Sequence, residues 1–382
     1  METQIPAVIC YPPAAGPDWR AEKVTLSRKV KERELKIRMV ATGICHTDIF
    51  VSSIPQGVFG VQYPKVVGHE GAGIVEEVGP GVTVASVGDP VLLSYNYCGH
   101  CDLCRHGQEV YCLEFAPLNL IGRDDVLKTA DGQAVFAQFF GQSSFAMCNI
   151  VSEASVVNVR DYVQPGDDAL KLLAPLGCGL MTGAGAVLNA ARARPHDIIL
   201  VTGIGAVGLA AIMTAKIIGC KEIIAVDRVP SRLEIAKDLG ATKVLDTRAL
   251  DTAATATLAQ ELMKLVENQR ISVAIETTGA APVIEGAIGA LGKRGRLLQV
   301  GVPAPGVNIT LPISDMVMFN KVLECHFLGD STAQVLLPRL LAWWREGRFP
   351  LEKIVKRFPP ENAVQAMQEM KSGSTIKPIL VW

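Results

Sequence analysis

The chain has 382 residues, of which 49% are hydrophobic and 20% charged, and its formal net charge is −1. This length exceeds what one hydrophobic core usually serves, and the composition is that of a well-buried protein, so we expect two folded domains and no extended disorder. The near-zero charge offers no general attraction to nucleic acid or to an anionic membrane, and neither is expected as a partner.

Ten cysteines are present, which would also suit a secreted, disulfide-bonded protein. The opening residues METQIPAVICYPPAAG, however, lack the basic flank and apolar core of a secretory signal. We therefore expect a reducing compartment, the cytoplasm, where clustered cysteines usually bind metal or take part in catalysis.

The first third of the chain reads as short strands separated by glycine and proline. The run ELKIRMV (34–40) alternates as a half-buried strand does. The run AGIVEEVGPGVTVASVGDPVLLS predicts further short strands joined by Gly-Pro-Gly and Gly-Asp-Pro turns. This part is expected to be mainly β.

Between about Leu180 and Cys325 the pattern changes to alternating strands and helices. The predicted strands are DIILV, EIIAVD, KVLD, ISVAIET and GRLLQVG, with helical runs such as SRLEIAKDLGA and APVIEGAIGAL between them. Such alternation predicts a parallel sheet covered by helices on both faces. The uncharged run 198–215 is interpreted as a buried strand followed by a buried helix rather than a membrane span.

The last stretch has helical periodicity and closes with the apolar run IKPILVW. It is too short for a third domain, and we expect it to pack back onto the first region. The run VNITLPISDMV (307–317), after the last predicted sheet strand, could extend a sheet across a two-fold axis between subunits.

A dinucleotide site is predicted where Gly203-x-Gly205-x-x-Gly208 follows an apolar strand and opens a helix. The three glycines allow a tight turn, close approach of a pyrophosphate, and close packing of helix on strand. The next strand ends at Asp227, where an acid can hold the adenosine ribose, which favours NAD. Arg228 follows and keeps NADP open, and Asp227 could instead cap the helix that begins near Pro230.

Two clusters of metal-ligand residues are visible. Cys98, Cys101, Cys104 and Cys112 form a C-x2-C-x2-C-x7-C loop, which predicts structural zinc. An iron–sulfur site or free thiols stay open, although the fourth cysteine of a ferredoxin run normally comes after three residues and precedes proline. His100 and His106 lie inside this loop and are interpreted as solvated side chains.

The second cluster is dispersed along the chain, at Cys45, His69 and Cys178. Two thiolates and an imidazole leave a fourth position for water or substrate, which is the arrangement of a catalytic zinc site. The alternative for each cysteine taken singly is a small buried hydrophobic residue.

Together these motifs identify a family. GICHTD, GHEGAGIVEEVG, the four-cysteine loop, PLGCGLMTGAGAVLN, GIGAVGL with Asp227, VGVP and IKPIL occur in order. The sequence resembles the zinc-dependent medium-chain alcohol dehydrogenases over essentially its whole length, and FFGQSSFA, GCGLMTGAGAVLN and STIKPIL resemble the aryl (benzyl) and allylic alcohol branch. The resemblance implies an α/β fold, with a GroES-like mainly-β catalytic domain at 1–179 and 326–382, carrying both zinc sites, and a doubly wound Rossmann domain at 180–325.

The resemblance also implies residue roles. Cys45, His69 and Cys178 would bind catalytic zinc, Glu70 would approach the metal transiently, Thr47 would receive the substrate proton, and Asp48 would orient His69. Contacts to the coenzyme are implied for His46, Thr182, Gly203, Gly205, Val207, Gly208, Asp227, Arg232, Val300, Val302 and Lys377. Two zinc ions per chain, NAD, and a homodimer or tetramer are expected.

The predicted activity is reversible hydride transfer between NAD and a bulky primary aryl or allylic alcohol or its aldehyde. The alternatives are an NAD(P)H-dependent reductase of a complex secondary metabolite and a non-catalytic binding or structural relative. Two departures from the liver-type enzymes matter: Phe50 replaces a histidine of the proton relay, and Ser94 replaces a bulky aromatic residue of the substrate channel, which predicts space for a large alcohol.

Overall fold

The structure is a computed structural model that describes residues 3–250, 255–267 and 269–382. The chain divides into two compact units. Unit 1 comprises Met1–Cys178, Thr332–Trp344 and Pro350–Trp382, and unit 2 comprises Gly179–Ser331 and Arg345–Phe349. The long segment of unit 2 thus runs to Ser331 rather than to residue 325. The functional domain limits given above stay a prediction.

The first part of unit 1 is built mainly of short strands, as predicted. Its elements are β1 Ile5–Tyr11, β2 Asp18–Leu26, β3 Glu34–Gly43, α1 His46–Val51, β4 Lys65–Val66, β5 Gly71–Val78, β6 Pro90–Leu93, α2 Asp102–Arg105, β7 Arg123–Thr129, β8 Ala134–Ala137, β9 Cys148–Ser152, β10 Val156–Asn158 and α3 Ala169–Leu173.

Unit 2 then alternates strands and helices. Its elements are α4 Gly179–Gly185, β11 Ile198–Thr202, α5 Ala206–Ile218, β12 Glu222–Asp227, α6 Pro230–Leu239, β13 Lys243–Asp246, α7 Thr255–Leu265, β14 Ile271–Glu276, α8 Ala281–Ala290, β15 Leu291–Gln299, α9 Ile313–Phe319 and β16 Val322–Cys325. The chain closes with α10 Ala333–Arg345, β17 Val355–Phe358, α11 Ala363–Ser372 and β18 Lys377–Val381.

Unit 1 contains a barrel and an open sheet. The barrel runs β1-β2-β7-β8-β4, and the sheet runs β10-β6-β5-β3-β18-β17 with β9 also paired to β3. β3 alternates as predicted, because Leu35, Ile37 and Met39 enter the core beside Val75 and Val91 while their neighbours face outward. β18 pairs antiparallel with β3, which confirms that the last stretch packs back onto the first region.

Unit 2 is a six-stranded sheet in the order β13-β12-β11-β14-β15-β16, and its neighbouring strands pair in parallel. All residues of β11 and β14 are buried, as expected for strands covered on both faces. The run 198–215 forms β11 and most of α5, a strand followed by a helix, as predicted. The order, with the first strand at the centre, is that of a dinucleotide-binding sheet.

The run 307–317 is not a strand within the chain, because Pro312 stands at the N-terminal boundary of α9 and a helix begins at Ile313. A role of this run in a contact across a two-fold axis stays a prediction. The edge of the sheet is β16 instead, and the sequence pattern had not indicated that strand.

Within the described ranges, no single helix is long and apolar enough to cross a membrane. The consecutive pair 169–177 and 179–190 reaches the required length and composition together.

Candidate catalytic metal centre and coenzyme loop

Cys45 is fixed at the N-terminal boundary of α1. The Asp48 side chain, one turn into this helix, accepts a hydrogen bond from the Cys45 backbone N–H at Oδ2, 2.8 Å away. This reciprocal arrangement satisfies backbone groups that a helix start leaves unpaired. The predicted ligand Cys45 is therefore held by the side chain of the predicted supporting acid.

The same carboxylate orients His69. Asp48 Oδ1 lies 2.8 Å from Nδ1 of His69 and accepts a hydrogen bond from the Gly68 N–H at 3.0 Å. Both side chains are fully buried. Because Nδ1 is engaged, Nε2 is the free coordinating atom, and it is buried without a hydrogen-bond partner among the described residues. A buried nitrogen oriented in this way suits a metal ligand.

Cys178, the last residue of the first unit 1 segment, completes the cluster. One ligand atom each from Cys45, His69, Glu70 and Cys178 lies within 4.8 Å of the others. Donor atoms this close can share one ion, and two thiols with an imidazole are donors that zinc prefers, so the set fits zinc. The structure thus brings together the three predicted ligands, which stand far apart in the sequence.

The electrostatics of this cluster favour a cation. A hydrogen bond between the two thiols lowers the pKa of Cys45 well below its usual range and raises the pKa of Cys178. Burial opposes charge on the His69 ring, but Asp48 and then Cys45 raise its pKa well above the usual value. Asp48 and Cys45 therefore both stabilise a positive charge at the His69 ring, and a zinc ion at Nε2 would supply that charge.

Glu70 lies against the cluster and is paired with Lys377. The Lys377 ammonium donates to both carboxylate oxygens at 2.8 Å and to the Ile44 carbonyl at 3.0 Å. Burial opposes the charge on Lys377, but the Glu70 carboxylate outweighs it and raises the pKa of Lys377. Gly43 makes room for this pair, because a Cβ there would lie 1.9 Å from Glu70 Oε2. The metal approach of Glu70 and the pyrophosphate contact of Lys377 stay predictions.

The other residues of GICHTDIF differ in exposure. The Thr47 hydroxyl lies 3.9 Å from the Cys45 sulfur and is partly exposed. His46 is exposed, and Phe50 is 42% exposed. The assigned relay and coenzyme roles of Thr47 and His46 are compatible with this exposure and stay predictions.

Sequence reasoning missed the segment that packs on His69. Phe140 stacks on the imidazole with ring centroids 4.5 Å apart, and Phe139 meets it edge-on at 5.6 Å. We call Phe139–Ser144 the brace segment. The motif FFGQSSFA was recognised only as a family resemblance, and no spacing rule would have placed these rings against a histidine 70 positions earlier.

Ser94 makes a contact that the sequence did not indicate. Its side chain is 1% exposed, and its hydroxyl donates to the Gly177 carbonyl at 2.6 Å. The small residue thus forms a hydrogen bond to the residue before Cys178. Its predicted effect, space for a large alcohol, stays a prediction.

The four-cysteine loop forms a second cluster, with α2 between its second and fourth cysteines. The sulfurs of Cys98, Cys101, Cys104 and Cys112 lie within 4.8 Å of one another. Backbone hydrogen bonds lower the pKa of Cys101 to about 6, so this sulfur is readily a thiolate. His100 and His106 are exposed and bond to Glu114 and Asp102, as expected of residues that are not ligands. Four soft donors fit zinc in a closed shell.

The glycine-rich loop of unit 2 separates three functions. Gly203 has a φ of +85°, a conformation that favours glycine. A Cβ on Gly208 would lie 2.0 Å from the Gly203 carbonyl oxygen, so only glycine lets α5 pack this closely. A Cβ on Gly205 would meet nothing within 4 Å, so the loop leaves open space at this glycine. This space at the start of α5 fits an approaching pyrophosphate.

Asp227 holds this loop. Its carboxylate accepts the Ile204 N–H at 2.6 Å and the Val229 N–H at 2.8 Å, so it supports both the glycine-rich turn and the turn before α6. The capping interpretation is thus part of its role. Nearby in the sequence, the Arg232 Nε is buried without a hydrogen-bond partner in the part of the chain that the structure describes. A buried guanidinium N–H without a partner suits a phosphate or ribose ligand.

Glu276, at the end of β14, was not identified from the sequence. Its carboxylate accepts the N–H groups of Thr278 and Gly279, at 2.7 and 2.9 Å, and the Gln299 side-chain amide at 2.7 Å. Its carbonyl accepts the N–H of Val300 at 3.0 Å. Glu276 thus joins the turn after β14 to the end of β15. The only sequence signal for this role is an acidic residue at the end of an apolar strand.

The remaining predicted coenzyme residues vary in burial. Val300 and Val207 are partly exposed, Val302 is 71% exposed, and Thr182 in α4 is buried. Their contacts to the nicotinamide stay predictions.

Comparison with known proteins assigns the family. The profile of the alcohol dehydrogenase GroES-like domain matches residues 31–161, and the zinc-binding dehydrogenase profile matches residues 206–342. The chain belongs to the zinc-dependent alcohol dehydrogenases of the medium-chain family, whose cofactors are zinc and NAD(P). The predicted fold class and enzyme class are confirmed.

Individual relatives are similar over nearly the whole chain. A geraniol dehydrogenase of Castellaniella defragrans is 35% identical over 356 residues, which cover 92% of this chain and 91% of the relative. The crystal structure of benzyl alcohol dehydrogenase from Acinetobacter calcoaceticus has a TM-score of 0.88 at 36% identity, covering 99% of each chain. An alcohol dehydrogenase zinc-binding domain protein from Burkholderia ambifaria has a TM-score of 0.91 at 37% identity, covering 100% of this chain and 99% of the other.

Proposed function

We propose that this alcohol dehydrogenase transfers hydride reversibly between NAD and primary alcohols that carry an aryl or allylic group. The observation that carries the reaction type is the convergence of Cys45, His69 and Cys178 on one point, with His69 Nε2 buried and unpartnered among the described residues. The similar geraniol and benzyl alcohol dehydrogenases support the substrate class, because geraniol is an allylic alcohol and benzyl alcohol an aryl one.

The chain's own residues would divide the work. Zinc held by the three ligands would lower the pKa of a bound alcohol, and NAD would accept its hydride. Thr47, beside the Cys45 sulfur, would take the hydroxyl proton. Asp48 would keep His69 in the tautomer that leaves Nε2 free for the metal.

The proton would leave Thr47 by a route that avoids position 50. Phe50 reaches the surface, with its side chain 42% exposed. Its ring has no group that accepts a proton, so it cannot pass one to solvent. His46, exposed at the first position of α1, and the buried Asp48 are the titratable neighbours of Thr47 in the chain, and His46 is the one that reaches solvent. We therefore assign the exit to His46, the coenzyme ribose or water.

NAD is the preferred coenzyme in this proposal. Asp227 is ordered by two backbone N–H groups at the end of β12, so its negative charge cannot turn away easily. A 2′-phosphate would meet that charge, whereas ribose hydroxyls would donate to it.

Initial rates with benzyl alcohol, geraniol and their aldehydes, each with NAD and NADP, test the proposal. We expect turnover of both alcohols and a kcat/KM at least about tenfold higher with NAD, equivalent to about 1.4 kcal/mol. Turnover of short aliphatic alcohols alone would refute the substrate class, and equal rates with both coenzymes would refute the role of Asp227.

We further propose a homodimer formed through the β16 edge of unit 2. Among the residues that the structure describes, β16 pairs only with β15, so its other side is an open sheet edge. On α9, just before it, Ile313, Val317 and Met318 are 67–76% exposed. Exposed apolar side chains beside an open sheet edge suit a second copy of the chain.

Light scattering on the purified protein, compared with a Val317→Glu variant, tests this interface. A dimer that dissociates in the variant supports it, and a variant that stays dimeric would place the interface elsewhere.

The cytoplasm is the location that we propose for this protein. Its cysteines are free thiols, and zinc sites need their thiols reduced, as they are in the cytoplasm.

A further inference from the structure

The brace segment has an unusual backbone. Phe140 and Ser143 within it, and Gln138 just before it, adopt φ values of +52°, +51° and +57°. Side-chain-bearing residues rarely adopt this region, and they do so where the surroundings hold them in place. Three such residues within six positions indicate that the segment is kept in this conformation for what it contacts.

Those contacts lead to the strand and turn that carry His69. The Ser143 hydroxyl donates to the Val66 carbonyl at 2.6 Å, and the Ser144 N–H donates to the Gly68 carbonyl at 3.0 Å. Phe140 covers the His69 ring itself. The segment therefore fixes the backbone on the N-terminal side of His69 as well as its ring.

Gln142 fixes the backbone on the other side. Its side chain is fully buried, and its Oε1 accepts the Gly71 N–H at 3.0 Å. Its Nε2 donates to the His69 carbonyl at 2.9 Å and to the Ser94 carbonyl at 2.8 Å. One amide thus ties the backbone of His69 to the residue that follows β6.

Ser94 continues the connection to the third ligand. Its hydroxyl bonds the Gly177 carbonyl, one residue before Cys178. Gly177 packs so tightly that a Cβ on it would lie 1.9 Å from the Leu93 carbonyl oxygen. Small displacements of β6 would therefore be transmitted directly to Cys178.

We infer that Gln142 is a positioning residue for the catalytic metal centre, setting the separation between His69 and Cys178 through Ser94 and Gly177. Its amide bonds backbone groups, one of them the His69 carbonyl, so it acts on the ligands through the backbone. This inference rests on the proposed zinc site. The three proposed ligands come from distant chain segments and need a common support to keep their spacing. Gln142 provides part of that support.

A matched pair of substitutions tests it. Gln142→Met removes the hydrogen bonds at nearly constant volume. Gln138→Met removes an amide that is likewise buried and belongs to the same loop, but bonds Glu34 and the Ile150 carbonyl instead. Both variants are loaded with zinc, and release to a chromogenic chelator is timed, with Cys178→Ser protein as the baseline for the four-cysteine zinc. Thermal melting and the absorption spectrum of the cobalt-substituted centre are recorded in parallel.

We expect the catalytic zinc to leave Gln142→Met about tenfold faster, with an altered cobalt spectrum, and Gln138→Met to match the native protein in both. Release from Gln142→Met at the native rate, or equal acceleration in both variants, would overturn the inference. If Gln142→Met does not fold, Ser94→Ala tests the same connection, with the same expected direction and the same refuting outcome. A native protein that binds one zinc ion would instead refute the proposed catalytic site.

Discussion

The carboxylate of Asp48 binds both the backbone of Cys45 and the ring of His69, so one side chain orients two of the three proposed metal ligands. Three donors meet this carboxylate: the N–H groups of Cys45 and Gly68 and the Nδ1 of His69. The two ligands are 24 positions apart in the chain, and their relative placement depends on this contact.

Asp48→Asn should therefore weaken zinc binding or kcat/KM by about 10–100-fold. An asparagine offers one acceptor oxygen, so its NH2 group must face at least one of the three donors. Zinc content and kcat/KM are the measurements. Asp102→Asn, an exposed acid beside the other metal loop, is the control and should change neither. Full zinc content and activity in Asp48→Asn would contradict this role.

The metal content should be about two zinc ions per chain, one for each ligand set. Cys178→Ser should retain about one and lose activity while the fold persists, whereas Cys101→Ser should mainly lower the thermal midpoint. Cys148→Ser is a fitting control, because this cysteine is as buried as Cys178, at 7% against 8% exposure, but belongs to neither cluster. Elemental analysis decides, and a loss of zinc from Cys148→Ser would invalidate the comparison.

The two glycines of the coenzyme loop should respond differently to alanine. Gly205→Ala meets open space at a φ of −86°, so it should fold normally but raise the KM for NAD about tenfold or more, by occupying the space for the pyrophosphate. Gly208→Ala meets backbone at 2.0 Å and should cost about 1–3 kcal/mol of stability. Thermal melts and NAD titrations of both variants test this. A Gly205→Ala enzyme with native KM would argue against the pyrophosphate site.

Phe50→His should change the pH dependence of hydride transfer. A solvated histidine at this partly exposed position would add a group that titrates near pH 6.5 beside the proposed relay. Single-turnover rates from pH 5 to 9 are the measurement, with Phe50→Leu as the control for loss of the ring. Identical profiles for native, histidine and leucine proteins would show that position 50 is not near the route.

Lys65 should make unit 1 less stable near neutral pH than at alkaline pH. Burial lowers the pKa of this fully buried lysine to about 7. It bonds the Ile121 carbonyl and stands opposite Cys10 on the neighbouring strand β1. Cys10 is neutral in this range, since burial raises its pKa to about 11. Between pH 7 and about 10 the unfolded chain holds a proton that the folded one lacks, so stability rises by up to about 1.4 kcal/mol per pH unit.

Lys65→Met should abolish that rise, whereas the exposed Lys23→Met should keep it. Denaturant unfolding at several pH values between 7 and 10 provides the comparison. Equal slopes in all three proteins would show that Lys65 is charged in the fold.

The sequence predicted what depends on residue type and local spacing. The four-cysteine loop, the three glycines and the alternating strand β3 are all local patterns, and each recurs in the structure. The three ligands of the catalytic centre could be proposed because the motifs around them resemble those of a known family. Gln142 and Ser94 could not, because a buried amide and a buried hydroxyl look like ordinary polar residues until their partners are known.

The run 307–317 shows the converse failure. Its apolar residues suggested a strand, but their periodicity also permits a helix, and Pro312 at the boundary decides in favour of α9. Glu276 was missed for a related reason, since an acid after an apolar strand is common and its backbone and amide partners come from two separate chain segments.

The pairing of Glu70 with Lys377 has a consequence for synthesis on the ribosome. The two residues are 307 positions apart, and β18, which carries Lys377, pairs with β3. While the chain is growing, Glu70 lacks the Lys377 ammonium, and the sheet beside Gly43 lacks a neighbour strand. The metal centre can therefore reach its final geometry only after residue 377 has emerged, when all of unit 2 has already been made.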